Sequence, residues 1–175
     1  MSDPRILALL LAASSATAVL AWPAGAQCRL CDTPTTSRND SAAGGEVTLE
    51  IQNGLNFDRL VLIGSGAGAA ELRPDGSSFA QGAVGNVSPR AMVGTAVVRG
   101  QPGRAVRINL PRRIELHAVG GGGRMTLDDV FSDLPSLPRL DASGTLTFRF
   151  GGRLTVSGDA DGQFRGDLPI TVEYL

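Results

Sequence analysis

The chain contains no lysine: all 16 of its basic residues are arginine, set against 17 acidic residues for a net charge of −1. So neutral a balance excludes the broad basic field that tracks a phosphate backbone, and nucleic acid is not expected as a partner. Histidine occurs once, as His117, and cysteine twice. Two thiols and one imidazole far along the chain from them are too few for a structural zinc site. No G-x-S-x-G elbow presents a serine to His117, which falls on a polar face beside Glu115. Nothing raises any pair of carboxylates above the rest as a sugar-cleaving couple. The expectation is a protein that is not an enzyme, with no catalytic residues, no cofactor and no metal.

What the chain has in quantity is glycine, 23 residues, and proline, 10, a composition that favours many turns over long helices. Its first 26 residues read as a signal peptide. Arg5 precedes the apolar run from Ile6 to Ala13, and small residues build to Ala24-Gly25-Ala26, an A-x-A cleavage pattern. Ser14, Ser15 and Thr17 break the apolar run, so a membrane anchor fits less well, and no membrane insertion is expected after cleavage. Cleavage before Gln27 removes Trp22, the one tryptophan.

Residues 27–45 read as a flexible arm, rich in Thr, Ser, Gly and Asn. It carries Cys28 and Cys31. In an exported protein a local disulfide between them is the plain reading. A thioredoxin-like site would need a helix N-terminus inside a βαβ pattern, which the chain lacks, and intermolecular cross-linking is the remaining alternative.

From residue 46 to residue 175 the dominant period is two. Val47, Leu49 and Ile51 share a face opposite Glu46, Thr48, Glu50 and Gln52. Val106, Ile108 and Leu110 repeat the pattern, as do Ile114, Leu116 and Ala118. The run Leu60 to Ile63 reads as a fully buried strand. Leu146, Phe148 and Phe150 precede Gly151-Gly152, and Leu154 and Val156 follow, which predicts a hairpin turning at the glycine pair. Phe164, Leu168, Ile170, Val172 and Tyr174 form one last alternating segment, with Pro169 marking an edge or bulge. Alternation of this kind makes sheets with one dry and one wet face. It predicts an all-β antiparallel β-sandwich of about eight to ten strands.

Three motifs imitate chemistry. Gly64 to Ala69 resembles a dinucleotide loop, but Glu71-Leu72-Arg73-Pro74 reads as a strand entering a turn where a helix is required. Asp159 and Asp161 lack the further oxygen ligands of a calcium loop. Asp128, Asp129 and Asp133 read as a solvated loop.

The order of blocks resembles a bacterial exported family catalogued as a domain of unknown function, itself similar to pilin-like, spore-coat-U-like fimbrial adhesins. The blocks include Gln101-Pro102-Gly103, Leu140-Asp141-Ala142-Ser143-Gly144 and Gly162-Gln163-Phe164-Arg165-Gly166, closed by Ile170-Thr171-Val172-Glu173-Tyr174. The resemblance implies an immunoglobulin-like sandwich and a structural or adhesive role acting by β-strand addition. It implies export to the periplasm or cell surface of a Gram-negative bacterium, with like subunits or a periplasmic chaperone as partners. The contacts would be Val47, Leu49 and Ile51 at one end of the domain and Ile170, Val172 and Tyr174 at the other. The alternative is a monomeric module binding carbohydrate or protein through loops at one end of the sandwich. An aromatic content of 5% offers that reading little sugar-stacking surface.

Overall fold

The computed structural model describes the backbone of residues 27–30, and residues 45–63, 66–119, 124–157, 160 and 162–175. The first 26 residues, expected to be a signal peptide, residues 31–44 with Cys31, Gly64 and Ser65, the glycine run 120–123, and Asp159 and Asp161 lie outside the described residues.

Among the described residues there are thirteen strands and no helix. They are β1 (Gln27–Leu30), β2 (Thr48–Asn53), β3 (Asn56–Leu62), β4 (Gly68–Leu72), β5 (Ser78–Gly82), β6 (Val84–Val87) and β7 (Gly94–Arg99). There follow β8 (Val106–Asn109), β9 (Arg113–Val119), β10 (Arg124–Ser132), β11 (Thr145–Ser157), β12 (Gln163–Gly166) and β13 (Thr171–Tyr174). Eleven strands form one long sheet, ordered β2-β7-β11-β10-β9-β12-β1-β3-β6, with β4 and β5 branching from β11. The other two, β8 and β13, pair only with each other. All ladders are antiparallel except that of β1 with β12.

So long a sheet cannot stay flat, because each strand is rotated relative to its neighbour. It curls around a single apolar cluster that takes Leu49 from β2, Phe57 from β3, Phe148 and Phe150 from β11, and Phe164 from β12. Val106 of β8 and Val172 of β13 join the same cluster from the two-stranded sheet. This is the expected all-β sandwich, built by burying every second side chain. No charged or polar residue is buried among those described.

The glycine pair does something other than turn the chain. β11 runs straight through it, and Phe148, Phe150, Gly152, Leu154 and Val156 are all buried, so the inward phase is the same on both sides of the pair. A hairpin would have reversed the strand there; instead β11 changes neighbours. Thr145–Phe150 pairs with β7, and Gly152–Val156 pairs with β4. The pair is glycine because the backbone is crowded at the changeover. A Cβ on Gly151 would overlap the Leu72 carbonyl oxygen, and one on Gly152 would come 2.9 Å from Leu127 Cδ1.

Other expectations are corrected in the same way. Leu60 is buried, but Val61 and Ile63 are 55% and 64% exposed, so this run alternates too. The last segment is two strands, separated over Asp167–Ile170, because Pro169 has no N–H to give a ladder. Asp128 and Asp129 lie within β10, at a bulge where Asp129 takes φ +51°. Such splits and short strands account for a larger strand count than turn spacing suggested.

Candidate functional site

The unusual element of the sheet is β1. It lies 17 residues before β2 yet sits inside the sheet order, between β12 and β3. Gln27–Leu30 pairs residue for residue and parallel with Gln163–Gly166. On its other side it runs antiparallel to β3, with Gln27 opposite Arg59, Cys28 opposite Asp58 and Arg29 opposite Asn56. The jump from Asp58 to Asn56 is a bulge in the β3 wall.

That wall is shaped by its own residues. Asp58 adopts φ +54°, a left-handed conformation that Asp tolerates better than most residues. Its N–H donates to Asn56 Oδ1 at 2.8 Å, and its Oδ2 accepts from Ser88 Oγ at 2.6 Å. The two strands that flank β1 each bury one ring completely, Phe57 on β3 and Phe164 on β12. The expectation of a flexible arm over residues 27–45, read from its composition, meets a seated strand over its first four residues. Gln27-Cys28-Arg29-Leu30 does alternate polar and apolar, but with only two apolar residues and a long polar tract after it the signal is too short to mark a strand in advance.

The residues expected to make strand-addition or chaperone contacts occupy the opposite region. Val47 and Leu49 are buried and Ile51 is half-buried. β2 ends the sheet order with β7 as its ladder partner. Ile170 and Val172 are buried, and Tyr174 is half-buried. The two groups meet at the Tyr174 hydroxyl. It accepts from the Gln101 N–H at 2.7 Å and donates to the Glu46 carbonyl at 3.4 Å. The Arg104 guanidinium lies over its ring at 4.6 Å. Tyr174 thus ties the end of β13 to the start of β2.

The remaining candidates are placed as follows. His117 and Glu115 are exposed on β9, and His117 stands opposite Arg165 on β12. Asp128 pairs with Arg113 Nε at 2.6 Å. That carboxylate holds the Arg113 guanidinium above its ordinary pKa through the hydrogen bond and its charge. Asp133 accepts the Arg149 N–H at 2.8 Å. Among the described residues no three His, Cys, Asp or Glu side chains converge as metal ligands. Residues 66–72 pass from a bend into β4, so the glycine loop feeds a strand. Cys28 lies in β1, while Cys31 falls outside the described residues.

Comparison with known proteins gives one match. The model of a family described as Domain of unknown function (DUF4402) covers residues 47–174. No curated protein and no solved structure matches the chain.

Proposed function

The chain belongs to the DUF4402 family, and from that premise we propose that it is an exported, non-enzymatic structural or adhesive surface protein acting by β-strand addition. One observation carries the reading. The body that the family model covers, residues 47–174, takes a strand from outside itself, β1, and pairs it on both sides. A strand held between two others gives its backbone N–H and C=O groups partners on both flanks, and such pairing does not depend on which chain supplies it. In this reading the slot between β12 and β3 accepts the N-terminal segment of the same chain or of a second copy. The partner is therefore a like subunit, in the manner of fimbrial sandwiches, and the setting is the periplasm or cell surface.

We take β1, and not β2, as the exchanged strand. Val47 and Leu49 are committed to the chain's own core, so withdrawing them would cost burial that β1 exchange leaves intact. The Asp58 bulge supports the choice, because a bulge fixes register at a pairing edge and discourages slippage.

The test is to size the protein by light scattering with and without residues 27–45. The expected result is concentration-dependent oligomers for the chain that carries the segment. The shortened chain should be a less stable monomer that binds a synthetic peptide of residues 27–45. A shortened chain of equal stability and equal mass, indifferent to the peptide, would refute the proposal.

A further inference from the structure

On the outward face of the long sheet the register lines up one row of side chains across five strands. The row is Arg113 on β9, Asp128 on β10, Arg153 on β11, Glu71 on β4 and Phe79 on β5. Directly opposed residues in such rows have Cβ atoms about 4.5–5.5 Å apart, so their charges are felt from strand to strand. Arg153 stands between two carboxylates, yet both are engaged elsewhere. Asp128 binds Arg113 at 2.6 Å and accepts from Thr155 Oγ1 at 3.0 Å. Glu71 binds Arg73 Nε at 2.7 Å, and the Arg73 guanidinium also lies 4.5 Å over the Phe79 ring. Among the described residues this leaves Arg153 in no ion pair.

Arg153 lies on the floor of a cleft of about 740 Å³. Thr155 shares that floor, Arg112, Arg113 and Asp129 form one wall, and Gln81 stands on the other. The Arg112 wall is anchored at the β10 bulge, where the Asp129 N–H donates to the Arg112 carbonyl at 2.9 Å. Phe79, two residues from Gln81 on the same side of β5, keeps 51% of its surface exposed.

From this arrangement we infer that the cleft binds a carboxylate-bearing saccharide, a uronate, with Arg153 as its anchor. The guanidinium fork matches a planar carboxylate with two parallel hydrogen bonds. Thr155, Gln81 and the Asp129 carboxylate supply the donors and acceptors that sugar hydroxyls need. The volume suits a mono- or disaccharide. Two aspartates beside three arginines leave the cleft only weakly positive, which disfavours a multiply charged phosphate. The site is independent of the strand slot, so each stands or falls alone.

The test is titration of the full chain with digalacturonate, followed by calorimetry and by amide chemical shifts. The neutral disaccharide galactobiose and inorganic phosphate serve as comparison ligands. Saturable binding of digalacturonate is expected, weakened at least about tenfold in Arg153→Gln by loss of a charge-assisted pair. Arg112→Gln should weaken it less, and the wild-type affinity should fall as salt rises. The inference is overturned if digalacturonate shows no saturable binding up to about 10 mM. It is equally overturned if galactobiose or phosphate binds as tightly, or if both variants bind like wild type. Should Arg153→Gln not fold, Arg112→Gln and the salt dependence decide the matter between them.

Discussion

Replacing Arg29 by proline should release β1 from its slot while the rest of the sandwich stays folded. Four residues flanked on both sides present eight backbone donors and acceptors to β12 and β3. At about 1 kcal/mol net for each hydrogen bond, the ladders contribute at most about 8 kcal/mol. Fixing four backbones costs about 1.5 kcal/mol each, or about 6 kcal/mol. The remainder of about 2 kcal/mol makes the docked strand roughly thirtyfold more populated than the released one. Proline at position 29 removes a ladder donor and crowds its neighbours, a loss of about 2–3 kcal/mol that cancels this preference. Native-state hydrogen exchange reads the result strand by strand. Amides in β12 and β3 should lose about thirtyfold of their protection, while those of β7 and the first half of β11 keep theirs. Unchanged protection in β12 would mean that β1 is not seated as described. Loss of protection throughout would mean that it is an integral part of the core and not an exchangeable piece.

Three further outcomes follow from the geometry. Gly94→Ala should destabilise the protein by about 1–3 kcal/mol in denaturant titration, since a Cβ there would overlap the Phe150 ring; a midpoint unchanged from wild type would contradict that packing. Tyr174→Phe should cost about 1 kcal/mol by removing the hydroxyl shared by Gln101 and Glu46, and Tyr174→Ala should cost more through the lost ring. Asp141 and Asp75 are held below the ordinary aspartate pKa, first by the Ser143 and Ser77 hydroxyls respectively and then by backbone N–H groups. A lowered folded-state pKa means that the stabilisation is complete above the unfolded value, about 3.9, and is lost as pH falls through the folded value. The melting temperature of wild type should therefore converge on that of Asp141→Asn in acid and stand at a constant offset above about pH 5; a constant offset at every pH would remove the linkage.

Much of the architecture was legible in the sequence because burial writes a period of two into every strand with one wet face. Phe148, Phe150, Leu154 and Val156 announced themselves in this way, as did Val106 and Leu116. The glycine pair misled because Gly-Gly serves equally as a turn and as a crowded crossing. The phase of the flanking residues distinguishes the two, since even-numbered positions point inward on both sides of the pair. β1 escaped notice because its pairing comes from the edges that β12 and β3 offer, and the alternation of its own four residues, two apolar and two polar, is too short to stand out ahead of a polar tract. The Arg153 cleft was beyond any reading of the chain alone. Its row joins residues between 71 and 153 through four ladder registers, and register is a property of the assembled sheet.

β11 also governs how the molecule comes into being. Its first half needs β7, its second half needs β4, and its far side needs β10, so the partners of one strand are scattered across half the chain. Contacts this distant in sequence are paid for in loop closure before they return any energy, which makes assembly slow. With everything up to residue 144 synthesised, β2 can pair with β7, β3 with β6, β4 with β5 and β9 with β10, but no strand yet joins β7, β4 and β10 into one sheet. Until its thirteen-residue spine arrives, the polypeptide is a set of small ladders with open margins, each an edge on which another chain can pair.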